Sequence, residues 1–136
     1  MNLAANRSRR LGVAIALLST IAIGIASRRV QTPLPWRVQK ELGDVLWAMA
    51  AYWLIALLRP SWRAGRVAIT AAVLAMLSEV SQLSHAQWLE SLRAYSIGHM
   101  LLGSGFSWLD MAMYPLGAAA AWGMDRFARR FSRRSP

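Results

Sequence analysis

The chain alternates between long apolar stretches and short clusters of charge, and this pattern predicts membrane-spanning helices. The stretch at residues 11–27 has no charged residue, residues 42–58 contain only Asp44, and residues 67–83 contain only Glu79. Each stretch has 17 residues, the lower limit for a helix that crosses a bilayer. Because a soluble helix of this length needs a polar face, which the second stretch lacks, we interpret all three as spans.

A fourth apolar stretch, residues 94–124, is 31 residues long and carries one formal charge, Asp110. At ~1.5 Å per residue a continuous helix would measure about 46 Å, which exceeds one span and is too short for two spans with a turn. The Gly-Ser-Gly segment at residues 103–105 offers a break. We therefore predict an interfacial or re-entrant helix over residues 88–102, followed by a fourth span in which Pro115 kinks or loosens the first turns.

These elements predict an all-α, polytopic membrane protein that forms a single integral membrane domain over residues 1–136. The segment before the last span is the short interfacial or re-entrant helix, and a basic cytoplasmic tail occupies residues 125–136. The apolar start resembles a signal peptide, but Arg28 and Arg29 follow it at once, so we interpret it as an uncleaved first helix. The four predicted transmembrane helices cover residues 11–27, 42–58, 67–83 and 108–124.

Composition agrees with a membrane protein and narrows the function classes. Hydrophobic residues make up 56% of the chain and charged residues 16%, whereas a soluble domain is about a quarter charged. The absence of cysteine excludes disulfides, cysteine-ligated metals and cysteine nucleophiles. Because the sequence has no glycine-rich phosphate loop, Ser/His/Asp order or paired-histidine helix motif, we predict no cofactor and leave open whether the protein is an enzyme.

The net charge of +10 lies at the helix ends, which indicates contact with anionic lipid headgroups and no binding of nucleic acid. With four spans, eleven arginines fall on the side of the two termini and five basic residues fall on the other side. The positive-inside rule then places both termini in the cytoplasm. The five residues on the opposite side are Arg28, Arg29, Arg37, Lys40 and Arg93.

Three carboxylates lie inside the spans, where ionisable groups cost free energy and are therefore candidates for function. Counting residues to the charge at the cytoplasmic end of each helix gives 15 from Asp44 to Arg59, 13 from Glu79 to Arg66 and 15 from Asp110 to Asp125. At ~1.5 Å per residue these heights are about 22, 20 and 22 Å. The sequence thus predicts one layer of carboxylates in the outer third of the membrane.

Further polar and aromatic residues join this layer. Gln82 follows Glu79 by three residues and Tyr114 follows Asp110 by four, so each pair shares a helix face. Trp47 lies deeper than the other tryptophans, which fall near the predicted span ends and indicate interfacial anchoring. Trp47 is therefore the tryptophan that we include in a candidate site.

Arg28 and Arg93 are the cations that we expect near the carboxylates. Three acids against two arginines leave one carboxylate to be protonated, hydrogen-bonded as a neutral acid, or matched to a ligand cation. The alternative, in which the polar residues only hold the helices together, is equally supported by the sequence. We predict no metal, because lone histidines near an interface, here His85 and His99, mostly form hydrogen bonds.

Several short motifs occur between residues 23 and 117: Ser27-Arg28, Gly43-Asp44-x-Leu46-Trp47-Ala48, Glu79-x-x-Gln82, Leu92-Arg93 and Phe106-x-x-x-Asp110-x-x-x-Tyr114-x-x-Gly117. Together they resemble a family of small bacterial integral membrane proteins of unknown function. The later half is also similar to VanZ-like proteins, in which an asparagine commonly stands near the position of Tyr114. The resemblance implies a bacterial inner membrane and a cell-envelope role, linked in some VanZ-like members to glycopeptide-antibiotic tolerance, with no established reaction.

The main functional hypothesis is an outward-facing polar pocket that binds, modifies or moves an envelope lipid or precursor. The alternative is a non-catalytic assembly or scaffold protein whose polar layer is structural. The small residues from Gly117 to Gly123 form a flat face for packing within the chain, against a second copy or against another protein. An ion or proton pathway ranks last, because the inner halves of the helices look apolar. The ligand-binding candidates are Arg28, Asp44, Trp47, Glu79, Gln82, Arg93, Asp110 and Tyr114, and the catalytic candidates among them are Asp44, Glu79 and Asp110.

Overall fold

A computed structural model describes residues 3–29, 35–98 and 106–132 of the chain. The described residues are helical with connecting turns, so the prediction of an all-α protein is confirmed. Residues 96–98 are the start of a further helical segment. The predicted break at residues 103–105 lies outside the described residues. The named helices are α1 (Leu3–Arg29), α2 (Trp36–Leu58), α3 (Ala64–Ser81), α4 (Gln87–Arg93) and α5 (Trp108–Ser132).

Three helices are long and apolar enough to cross a membrane: α1 over Arg7–Ser27, α2 over Arg37–Leu58 and α3 over Ala64–Ser81. Many of their apolar side chains face outward, as Leu18 and Ile69 do with 66% and 68% of their surface exposed. Apolar residues around the whole circumference of a helix are typical of lipid contact. The protein is therefore a helical membrane protein, as the sequence predicts.

The helices extend beyond the apolar stretches that predicted them. α1 begins at Leu3 instead of residue 11, α2 begins at Trp36 instead of residue 42, and α5 ends at Ser132 instead of residue 124. The added turns are rich in arginine, which forms helices well and whose long side chain reaches water from the membrane surface. α5 also continues through Pro115 without interruption.

α2 is the centre of the bundle and packs against α1, α3 and α5, while α5 also packs against α3. The core combines a few large side chains with alanines, which lets the helix backbones approach closely. A Cβ atom at Gly117 would overlap the carbonyl oxygen of Val45 and crowd Ala48, so α5 rests directly on α2 at this point. Of the predicted small-residue face, Gly117, Ala118 and Ala121 are buried within the chain, and Ala119, Ala120 and Gly123 are exposed.

α2 and α5 run in the same direction. Lys40, near the start of α2, contacts Asp110 near the start of α5, and Tyr52 contacts Asp125 near the other end of the pair. At the same end as Asp125, Arg9 of α1 donates a hydrogen bond to the carbonyl oxygen of Pro60 at 2.7 Å. The start of α1, the α2–α3 loop and the end of α5 thus share one end of the bundle. We call this the basic end and the opposite one, with Lys40 and Asp110, the acidic end.

The segment predicted as one helix over residues 88–102 is divided in the structure. α4 ends at Arg93, a turn follows at residues 94–95, and a new helical segment begins at residue 96. A Cβ atom at Gly98 would collide with the carbonyl group of Leu92, so the chain folds back tightly there and only glycine fits. The prediction for residues 99–102 lies outside the described residues.

Candidate functional site

Glu79 of α3 is completely buried and is held by neutral donors. Its Oε2 accepts hydrogen bonds from the Tyr114 hydroxyl at 2.9 Å and from Gln82 Nε2 at 2.7 Å. Its Oε1 accepts a hydrogen bond from the backbone N–H of Ser107 at 2.6 Å. Across the described part of the chain, no cationic side chain forms an ion pair with this carboxylate. The structure thus brings together Glu79, Gln82 and Tyr114, which the sequence predicted to share one layer.

Ser107 connects this network to the start of α5. It stands directly before the helix, and its Oγ accepts a hydrogen bond from the backbone N–H of Asp110 at 3.4 Å, in the manner of an N-cap. Because its own N–H points to Glu79, one residue both begins α5 and ties it to α3. Ser107 was not among the predicted site residues, although a serine immediately before an apolar helix is a recognisable capping signal.

Asp44 and Asp110 share the ammonium group of Lys40. Lys40 Nζ donates to both carboxylate oxygens of Asp110 at 2.5 Å and lies 3.4 Å from Asp44 Oδ2. Both carboxylates are largely shielded from solvent, because 14% of the Asp44 side-chain surface and 5% of the Asp110 side-chain surface are exposed. The Lys40 side chain is 41% exposed. Among the described residues, the cation that contacts both carboxylates is Lys40, which lies before the predicted start of the second span at residue 42.

Glu41 adds a third carboxylate to the group. One oxygen each from Glu41, Asp44 and Asp110 lies within 4.8 Å of the other two. Oxygen clusters of this kind suit hard cations, and here the ammonium of Lys40 is the positive charge that the structure shows among them. Among the described residues, Lys40 pairs with two of these three carboxylates, Asp44 and Asp110.

Arg93 is buried, but it contacts the end of α3 and not the carboxylate layer. It donates to the carbonyl oxygens of Ser81 at 2.7 Å and Ser84 at 3.0 Å, and to the Glu90 carboxylate at 3.0 Å. These contacts satisfy carbonyl groups that the end of an α-helix leaves free. In the described ranges Arg93 forms no ion pair with Asp44, Glu79 or Asp110, so its predicted anion contact stays a prediction.

The remaining candidates differ in how closely they approach the site. Trp47 is partly buried and packs against a small cluster of Ala48, Ala75 and Tyr114, so it lines the same region as the Glu79 network. The side chain of Arg28 and the whole of His99 lie outside the described residues. The structure therefore leaves the predicted role of Arg28 as a prediction.

A second buried polar cluster lies at the basic end, where the sequence predicted apolar helix halves. The Tyr52 hydroxyl donates to Asp125 Oδ2 at 2.7 Å, and Arg129 donates to both Asp125 oxygens at 2.9 and 2.5 Å. Burial acts to raise the pKa of Asp125, but the hydrogen bonds from Arg129 and Tyr52 outweigh it and hold this pKa below its ordinary value. The four-residue spacing of Asp125 and Arg129 is typical of an ion pair along one helix face and could have been recognised in the sequence. Nothing in the sequence distinguished Tyr52 from an ordinary core residue.

Fold and site together define a small helical membrane protein with a cluster of buried carboxylates near one end. The family described as a protein of unknown function (DUF2809) matches residues 34–118, well over half of the chain, and the chain belongs to this family. The match includes α2, α3, α4 and the first half of α5, and hence the whole carboxylate layer. Asp125 and Arg129 lie outside it. No solved structure matches the chain.

Proposed function

We propose that the protein is a four-span protein of the bacterial inner membrane whose acidic end forms an outward-facing pocket for a polar-headed envelope lipid or lipid precursor. The fourth span in this proposal is α5. It accompanies α2 from the Lys40–Asp110 contact to the Tyr52–Asp125 contact, so it crosses the same depth as a helix that is long enough to span. Over residues 108–124 its single formal charge is that of Asp110.

The proposed orientation rests on the charge at the two ends of the bundle. Arginines of the α1 start, the α2–α3 loop and the α5 end gather at the basic end, which the positive-inside rule places in the cytoplasm. The acidic end then faces away from the cytoplasm. The resemblance to VanZ-like proteins supports an envelope role for a pocket on that side.

The observation that carries the binding proposal is the charge imbalance of the carboxylate group. Glu41, Asp44 and Asp110 place one oxygen each within 4.8 Å of the others, and the ammonium of Lys40 pairs with Asp44 and Asp110. Glu79 has no ion pair among the described residues. A lipid with a primary amine in its headgroup would supply the missing positive charge. In this arrangement Asp44 and Asp110 hold the amine.

The Glu79 network supplies a hydrogen-bonded side of the proposed pocket. Gln82 and Tyr114 fix the Glu79 carboxylate through two hydrogen bonds, and Trp47 packs beside Tyr114. These groups orient the headgroup next to the amine-binding carboxylates. If the bound molecule is chemically modified, Asp44, Glu79 and Asp110 are the acid or base groups within reach.

A second candidate function is a non-catalytic assembly protein, and one observation favours it. Both oxygens of Glu79 already receive hydrogen bonds from three donors, which is the arrangement expected of a residue that holds α3 and α5 together. In that case the exposed small residues of α5, such as Gly123, are the surface for a partner or a second copy.

Native mass spectrometry of the detergent-purified protein separates the two functions. We expect retention of phosphatidylethanolamine, which has a primary amine, over phosphatidylcholine, whose quaternary amine cannot donate hydrogen bonds. Asp44→Asn and Asp110→Asn should abolish this preference, whereas the matched control Glu90→Gln, which changes an exposed carboxylate outside the group, should retain it. Equal retention of both lipids by the wild-type protein would contradict a binding pocket and favour the assembly function.

A further inference from the structure

A cleft opens at the basic end, between the start of α3 and the second half of α5. Its volume is about 580 Å³. Three of the residues that line it are arginines, and none is acidic. The cleft is therefore strongly positive, at the opposite end of the bundle from the carboxylate layer. The lining residues are Arg63, Ala64, Gly65, Arg66, Ile69, Thr70, Trp122 and Arg126.

The arginines of the cleft are positioned to donate to a ligand. Arg63, Arg66 and Arg126 are exposed, and none of them forms an ion pair within the described ranges. The guanidinium of Arg126 lies 4.9 Å from the ring centroid of Trp122, and that of Arg66 lies 5.7 Å from that of Trp62. Stacking on an indole holds a guanidinium plane in place while its N–H edge stays free for an oxyanion.

Backbone groups add to the positive potential of the cleft. α3 begins at Ala64 without a side-chain cap, and the N–H of Val67 is bonded to the Arg63 carbonyl oxygen at 3.2 Å. The N–H groups of the preceding residues, including Gly65, stand at the free end of this 18-residue helix. A helix N-terminus favours a negative charge, and a Cβ atom at Gly65 would meet nothing within 4 Å, so the approach is open.

The surroundings of the cleft favour a lipid over a soluble anion. α3 is a candidate membrane span from Ala64 onward, so its first turn lies at the level of the headgroups. Ile69, one turn deeper, is 68% exposed and continues the cleft as an apolar surface, beside the indole of Trp122. A phosphate at the arginines and an acyl chain along this surface would match both parts of the cleft.

We propose that this cleft is a binding site for an anionic glycerophospholipid. Arg63, Arg66 and Arg126, with the N-terminus of α3, hold the phosphate, and Ile69 and Trp122 contact the beginning of an acyl chain. The site differs from general attraction to a charged membrane because it requires particular arginines. It is also independent of the pocket proposed at the acidic end, which is the better match for an amine.

Native mass spectrometry with phosphatidylglycerol tests the proposal. We expect Arg66→Gln and Arg126→Gln each to weaken phosphatidylglycerol binding about fivefold, the effect of losing ~1 kcal/mol per basic residue at an anionic headgroup. Arg130→Gln is the matched control, since it removes the same charge one turn further along α5 and does not line the cleft. Thermal unfolding of the same samples shows that the variants fold.

Two results would overturn the proposal. If Arg130→Gln weakened phosphatidylglycerol binding equally, the effect would depend on net charge alone and there would be no specific site. Displacement of phosphatidylglycerol by millimolar inorganic phosphate, with no requirement for an acyl chain, would assign the cleft to a soluble phosphate and not to a lipid. Retention of phosphatidylglycerol that depends on Arg66 and Arg126 and resists inorganic phosphate would establish the lipid site.

Discussion

Replacement of Tyr114 by phenylalanine removes a single oxygen atom from the buried network around Glu79. Tyr114 is 5% exposed, and its hydroxyl donates to Glu79 Oε2 at 2.9 Å. Removing one partner of a buried hydrogen bond costs about 1–3 kcal/mol, and the phenyl ring keeps its packing in the variant. Since Glu79 retains the donors of Gln82 and Ser107, we expect Tyr114→Phe to lower the free energy of unfolding by about 2 kcal/mol.

The assay is denaturant or thermal unfolding of the purified protein in a mild detergent. Tyr95→Phe is the matched control, because Tyr95 is 73% exposed and the same change there should stay within about 0.5 kcal/mol. A double-mutant cycle with Glu79→Gln isolates the coupling between the two side chains. A loss no larger in Tyr114→Phe than in Tyr95→Phe would refute the view that this network holds α3 and α5 together.

Three further predictions concern the packing and the two polar clusters. Gly117→Leu should lower the unfolding temperature strongly, since its side chain would overlap the α2 backbone, whereas Gly123→Leu, in open space, should not. Lys40→Met should destabilise the protein by about 3 kcal/mol in unfolding assays, and Asp110→Asn added to it should restore part of that loss. The pKa of Asp125 is below its ordinary value in the folded protein, so its ionised form stabilises at neutral pH, and this contribution is lost as the pH falls through the folded pKa. Asp125→Asn should therefore unfold more easily than wild type at pH 7, and unfolding scans should show the difference shrinking below about pH 4.

The fold was largely predictable because the membrane restricts the backbone conformations that an apolar stretch can adopt. Lipid offers no hydrogen-bond partner to a free backbone N–H or C=O group, so an apolar stretch such as the one around Val67 is expected to form a helix, which satisfies these groups internally. In the structure this helix buries alanines and exposes large apolar side chains. The helix ends were less predictable. Charged residues such as Arg9 continue a helix into the headgroup region, where hydropathy no longer marks its limits.

The carboxylate layer was predictable from residue spacing along the helices. Counting residues from the basic end placed Asp44 and Asp110 at one height, and the structure brings their oxygens within 4.8 Å of each other. The cation was missed because the apolar stretch began at residue 42, which put Lys40 in a loop. With α2 beginning at Trp36, Lys40 and Asp44 lie one turn apart on the same face.

The remaining contacts that the sequence did not predict involve long polar side chains. Arg93 could reach either a carboxylate or the free carbonyl groups at the end of α3, and only the path of the chain through residues 82–92 decides between them. Tyr52 and Asp125 are 73 residues apart, and no local pattern relates them. Such contacts depend on helix rotation and register, which periodicity does not determine.

The most direct test of the claim that the acidic end is a working pocket uses Asp44→Asn. Within the described residues Asp44 makes one ion-pair contact, at 3.4 Å, while Lys40 is held more closely by Asp110, so this variant should keep a near wild-type unfolding temperature in detergent. We predict that it nevertheless fails to complement an envelope-stress phenotype in a deletion strain, with Glu90→Gln complementing normally. Full complementation by Asp44→Asn would contradict the account, and so would a loss of stability large enough to explain its failure.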